Sequence, residues 1–183
     1  MSQLFPEAVA RPVEPAEAEG EVCIRTASAT DVESLSVYFT GLSPTSRNKR
    51  FMGARADLAV VAAQCLAKTD RPDHFTLFAE FRHAGRRTII GETHYAYDAA
   101  ARHGEFAISV ADAFQRMGFG LRMLNAMETR AIDLGHEMIA GETARTNAEM
   151  RCLARKAGFS DTGLGDWQSV HLAKRLSRQP YRC

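Results

Sequence analysis

A chain of 183 residues that is 45% apolar and 25% charged can bury one substantial core, and one domain is the natural reading. A net charge of +1 excludes bulk attraction to nucleic acid and an acidic tail. No apolar run nears the ~18 residues of a membrane span, and four scattered cysteines without C-x-x-C spacing fit free thiols in a reducing cytoplasm rather than a disulfide or metal framework.

Residues 1–20 hold three prolines, four glutamates and little periodicity, and read as a mobile N-terminal tail without the basic-then-apolar order of a secretory signal. Residues 22–26 alternate as a first strand. Ser28 or Thr30 can cap a helix starting near Asp31, with Val32, Leu35 and Phe39 inward and Gly41 as its stop. Pro44 suits the first turn of another helix, whose residues 47–50 form a basic face, either a solvated one or one that meets a phosphate or an acidic substrate. Residues 58–68 are helical, and 70–73 form a loop. The period then changes to strand: 74–83 and 87–97 form a long hairpin around Ala84-Gly85. After a turn at 98–102, residues 105–110 read as a central strand.

A long amphipathic helix follows, with Leu121, Leu124, Met127, Ala131 and Leu134 on one face and Gly135 beyond its end. Residues 137–143 are a strand, Asn147 opens a last helix, Gly158-Phe159 turns the chain, and 170–176 close it as a strand after the Gly163/Gly165 turn. Residues 177–183 are a C-terminal tail. The order is β-αα-ββ-β-α-β-α-β-β, a mixed sheet with helices on both faces. The methionines read as core filler, and Trp167 is expected to pack beside the last strand pair. The six histidines show no ligand spacing, so no metal is expected.

The junction at residues 110–122, VADAFQRMGFGLR, carries the chemistry. A strand runs into a helix through Gly118 and Gly120. First-turn N–H groups lack intrahelical acceptors, and the helix dipole favours an anion there. The sequence therefore builds a phosphate cradle, with Arg116 and Arg122 as point charges beside it. A dinucleotide fingerprint is excluded because Met123 stands at its third glycine, and no G-x-x-x-x-G-K-[ST] run exists.

The pattern Gln115-x-x-Gly118-x-Gly120 resembles the acyl-CoA loop of the GNAT N-acetyltransferase superfamily. The later block, residues 147–159 (NAEMRCLARKAGF), resembles that superfamily's next helix and turn. Residues 104–110, 147–154 and 42–51 look closest to the acetyltransferase domain of bacterial protein-lysine acetyltransferases. The resemblance covers about residues 21–176, expected as one acyl-CoA N-acyltransferase domain. It implies a three-layer α-β-α (mixed α/β) fold whose mostly antiparallel sheet splays at the cofactor site.

The resemblance further implies an acetyl-CoA-dependent N-acetyltransferase acting on a primary amine, such as a protein lysine, by direct attack. The alternatives are a small-amine acetyltransferase and a non-catalytic acyl-CoA sensor. Backbone of Ile108, Ser109 and Val110 would pair with the pantetheine arm. Gln115, Arg116, Met117, Gly118, Phe119, Gly120, Leu121 and Arg122 would take the diphosphate, and Asn147 would touch the cofactor or cap its helix. Glu105, partly desolvated, is the first choice of general base. Glu142 is the second, ahead of Glu92 and His94. Many members carry a Tyr acid where Ala154 stands here, so water, Cys152 or another group would protonate the thiolate. The partners implied are acetyl-CoA and an amine acceptor, with no nucleic acid or membrane, as monomer or homodimer.

Overall fold

A computed structural model describes residues 20–54, 57–68 and 71–177 of the 183-residue sequence. The expectations for residues 1–19, Arg55, Asp70 and the tail beyond 177, Cys183 included, lie outside these residues.

Among the described residues there are seven strands, β1 (Glu21–Thr26), β2 (His74–His83), β3 (Arg86–Asp98), β4 (His103–Val110), β5 (Met138–Ala144), β6 (Ser160–Asp161) and β7 (Ser169–Arg175). They form one sheet in the order β1-β2-β3-β4-β5-β7-β6. Every neighbouring pair is antiparallel except β4 and β5. The helices are α1 (Val32–Gly41), α2 (Pro44–Phe51), α3 (Leu58–Leu66), α4 (Phe119–Asp133) and α5 (Ala148–Lys156).

The helices start where short polar side chains take up orphan N–H groups. Asp57 accepts from Ala59 N and Val60 N to open α3, and Ser43 accepts from Ser46 N, with Pro44 at the first position of α2. Three helices precede the hairpin among the described residues, as the segment-by-segment reading has them and the summary order, with two, does not. Gly135, at φ +81°, follows the end of α4 in the left-handed region that favours glycine.

The sheet separates its cores. On one face Leu124, Met127 and Ala131 of α4 and Ala154 of α5 pack with Phe75, Tyr95, Ile139 and Leu172. On the other, Leu35 and Phe39 of α1 and Ala62 and Leu66 of α3 pack with Phe78. This is the three-layer mixed fold expected from the sequence. Two expectations fail. Trp167 is 81% exposed, in the irregular turn between β6 and β7, and Met117 is 52% exposed beside the phosphate cradle. Met123 and Met127 are fully buried, as core methionines should be.

The parallel β4–β5 pairing positions the site. It holds only at Gly104 with Ile139 and at Glu105 with Ala140. Past that point the Phe106 ring leans over Gly141, where an added Cβ would lie 2.6 Å from ring carbon Cε1. The strands then diverge, and the β5 side of residues 106–110 has no strand partner among the described residues. An unpaired strand edge offers main-chain donors and acceptors to a ligand.

Candidate functional site

The open end of this splay is closed off by the β4–α4 junction. Val110 ends β4, a single 3-10 turn spans Asp112–Phe114, and α4 begins at Phe119. Between them Arg116 (φ +61°) and Gly118 (φ +85°) are both left-handed. Alternating handedness gathers successive N–H groups into a concave nest that suits anions. Gln115 N donates to Asp112 O and Arg122 N to Gly118 O, whereas the N–H groups of residues 116–121 have no acceptor among the described residues. Six consecutive unbonded donors at a helix N-terminus, beside an unpaired strand edge, fit a diphosphate with an extended amide-bearing arm.

The side chains around the nest mostly brace it. The Gln115 amide donates to Val110 O (3.0 Å) and to Ser46 Oγ (3.1 Å), so it ties the loop to β4 and to α2. Asp112 accepts from Ser43 N (2.9 Å), Ser43 Oγ (2.7 Å) and Ser46 Oγ (2.7 Å). Burial works against the Asp112 charge, but the bonds from Ser43 and Ser46 outweigh it and hold the carboxyl below its ordinary value. Phe119 packs its ring 6.2 Å from that of Phe114. Leu121 rests on the core, and Leu153 lies against Gly120.

The two arginines differ. The Arg122 guanidinium stacks over Phe119 at 5.5 Å and reaches toward Val22 O of β1. Arg116 instead lies close enough to Glu149 of α5 to stabilise its charge. Asn147 is 7% exposed; its side chain accepts from Met150 N and donates to Thr143 Oγ1. The Asn147 oxygen thus caps α5, while its amide nitrogen ties the helix start to β5.

Ile108, Ser109 and Val110 lie past the last β4–β5 pair, on the unpaired edge. The Ser109 hydroxyl points into the α1–α3 layer, where it donates to Glu92 at 2.9 Å and meets the Tyr38 hydroxyl at 3.0 Å. Glu92 is fully buried against Arg50, 2.5 Å away. The neighbouring His94 ring meets Thr76 Oγ1 at 3.0 Å, and burial lowers its pKa below the ordinary histidine value. Glu92 is closed off from solvent, whereas His94 stays partly exposed.

Glu105 stands at the closed end of the splay. Strand alternation puts it on the same sheet face as Ala140 and, two residues further along β5, Glu142. The structure thus brings both carboxylate candidates to one face. The Glu105 side chain is 75% exposed, with His103 Nε2 at 3.7 Å, so it lacks the partial desolvation expected from the sequence. Glu142 is 46% exposed, with His171 Nε2 at 3.5 Å. Glu105 lines an open depression of about 380 Å³ together with Arg71, Asp73, His74, Tyr97 and Asp98. The bond to His74 holds the Asp73 carboxyl below its ordinary value, and the N–H groups of Ala101 and Ala100 do the same for Asp98. Both are therefore anionic at neutral pH.

Ala154 is fully buried and Cys152 is exposed. Residues two apart on a helix point about 200° from each other. Cys152 therefore does not reach the place of a side chain at 154. Sequence reasoning missed Ser43, Ser46, Asp112 and Tyr38 as braces of the site, where only the Ser-Pro helix start gave any local signal, and it set Arg50 on a basic face although the fold buries it against Glu92.

Among the described residues no helix is long and apolar enough to cross a membrane, and no group of three His, Cys, Asp or Glu side chains is placed to hold a metal ion.

Comparison with known proteins points the same way. The family model described as the acetyltransferase (GNAT) domain matches residues 21–160. The GNAT domain of S. lividans PAT superposes with a TM-score of 0.73 at 23% identity, covering 84% of this chain and 89% of that one. The ribosomal-protein-S5-alanine acetyltransferase of Vibrio fischeri gives 0.69 at 15%, covering 87% and 96%. The protein yncA of Salmonella typhimurium, solved with its cofactor acetyl-CoA, gives 0.68 at 17%, covering 89% and 99%. A sequence search of curated proteins finds no match.

Proposed function

This chain belongs to the GNAT acetyltransferase domain family, and from that premise we propose that it acetylates a lysine side chain of a protein or peptide. It is an N-acetyltransferase that uses acetyl-CoA. The coenzyme supplies an acetyl group activated as a thioester. The observation that carries the reading is the run of six unbonded N–H groups at residues 116–121, beside the unpaired edge of β4.

The chain's own groups have three tasks. The nest of residues 116–121 holds the diphosphate, and the main chain of Ile108, Ser109 and Val110 orients the pantetheine arm toward the pivot at Glu105. The Glu105 carboxylate takes a proton from the acceptor ammonium, so that the free amine forms the new C–N bond as the C–S bond breaks. Its exposure suits an acceptor that covers it on docking. With no acid at Ala154 of α5, water relays the proton that the new amide nitrogen sheds to the departing thiolate.

The acceptor class follows from the depression at Glu105. Its open form, with the carboxylates of Asp73, Asp98 and Glu105 outnumbering the one guanidinium of Arg71, favours a cationic side chain carried on a larger surface over a small amine held in a deep pocket. The likeness of residues 42–51 and 104–110 to protein-lysine acetyltransferases supports the same reading.

Thiol release from acetyl-CoA tests it, with lysine-bearing peptides, cell-extract proteins and small polyamines as acceptors. Turnover with peptide or protein lysines and little with small amines is expected. Turnover confined to small amines would overturn the acceptor, and none with any amine would overturn the reaction.

A further inference from the structure

We propose that Lys49 is a ligand of the coenzyme's diphosphate, and that Glu149 is the internal anion it exchanges for that group. The inference rests on the acetyl-CoA reading of the nest. It starts from an ion pair joining two parts of the chain a hundred residues apart. Lys49 Nζ lies 3.1 Å from Glu149 Oε2.

Both partners belong to segments tied to the nest loop, Lys49 to α2 and Glu149 to α5, where it feels the charge of Arg116. Asp112 and Gln115 bond the N-terminus of α2 to the loop through Ser43 and Ser46. Lys49 is three residues after Ser46, so the two share a helix face one turn apart. Lys49 thus extends from the side of α2 already fixed to the loop. Glu149 belongs to α5, which follows β5 on the far side of the splay. It lies in the first turn of α5, two residues beyond the Asn147 cap.

The Glu149 carboxylate therefore stands among positive groups. Its own N–H, then Lys49, and also Arg116 of the loop stabilise its charge and hold its pKa below the ordinary value. One anion among a lysine, an arginine and a helix N-terminus is the environment a phosphate seeks. Glu149 is 70% exposed and Lys49 34%, and an exposed pair of this kind costs little to break. A diphosphate brings more charge and more acceptor oxygens than one carboxylate. Arriving at residues 116–121, it would draw Lys49 from Glu149 and leave Glu149 as a nearby like charge. The arrangement makes Glu149 a competitor of the coenzyme.

Titration calorimetry with coenzyme A at low salt tests this on the wild type, Lys49→Met and Glu149→Gln. Lys49→Met should weaken binding roughly tenfold, the loss of one charge-assisted hydrogen bond. Glu149→Gln should tighten it several-fold, and the Lys49→Met penalty should persist with 3′-dephospho-coenzyme A. Affinity of Lys49→Met within twofold of a wild type that binds would overturn the Lys49 assignment alone. Weaker binding by Glu149→Gln would overturn the competition, and a penalty seen only with the full coenzyme would overturn the diphosphate assignment. A wild type that does not bind coenzyme A would overturn the cofactor reading and this inference together.

Discussion

Arg50 Nε lies 2.5 Å from Glu92 Oε1, with the two side chains 9% and 0% exposed. The pair joins α2 to β3, and Ser109 completes it from β4 by donating to the same oxygen. Breaking a buried pair leaves an uncompensated charge, which costs about 3–5 kcal/mol. Arg50→Met should therefore lower the unfolding free energy by about that amount in urea denaturation. Adding Glu92→Leu to it should recover much of the loss, because the stranded charge is gone. A single variant of wild-type stability would contradict the role of this pair.

Gly118 and Gly120 serve different purposes, and alanine separates them. A Cβ at Gly118 meets nothing within 4 Å, so Gly118→Ala pays only for φ +85°, about 1–2 kcal/mol. Relief of that strain flattens the nest, so acetyl-CoA affinity should fall about tenfold or more, the loss of one or more charge-assisted hydrogen bonds. A Cβ at Gly120 would stand 3.0 Å from Leu153 Cδ2, the end of a flexible side chain, and Gly120→Ala should affect affinity far less. Calorimetry on both variants checks the contrast, and equal affinities would remove Gly118 from the cradle.

Glu105→Gln should cut kcat by roughly a hundredfold or more at neutral pH, the usual share of general base catalysis. Acetyl-CoA affinity should stay within about twofold of wild type, since the diphosphate is held elsewhere. Glu142→Gln, on the same sheet face but paired with His171, should do much less. Comparable losses in kcat for both would move the base role away from Glu105.

The strands, the helix face at residues 121–134 and the left-handed bend before it were legible because each is local. Alternation gives β2 and β3, spacings of three and four give α4, and glycines mark the left-handed bend. The division of labour around the nest was not legible. Asp112 meets Ser43 and Ser46 from nearly seventy residues away, and Arg50 meets Glu92 across the sheet. Such pairings depend on tertiary register, which no local pattern encodes. The exposure of Trp167 and of Glu105 was hidden for a related reason, since residue type gives a preference for burial and the fold decides it.

Acid should weaken the fold through Asp31. The bond from Arg25 lowers its carboxyl from an ordinary 3.8 to about 2, burial opposing and Ser28 assisting. The unfolded chain therefore takes up this proton at a higher pH than the folded one. The stabilisation is present above about pH 4 and disappears as pH falls toward 2. Asp31→Asn should flatten that part of the stability profile measured by urea denaturation between pH 5 and 2. A variant profile parallel to the wild type would contradict the assignment.

The most direct measurement follows the amide resonances of residues 116–121 by nuclear magnetic resonance as coenzyme A is added. Saturable shifts concentrated in these six N–H groups, with smaller ones along residues 108–110, are expected if the nest grips the diphosphate. Saturable binding that leaves these six resonances in place and moves amides elsewhere would contradict the account.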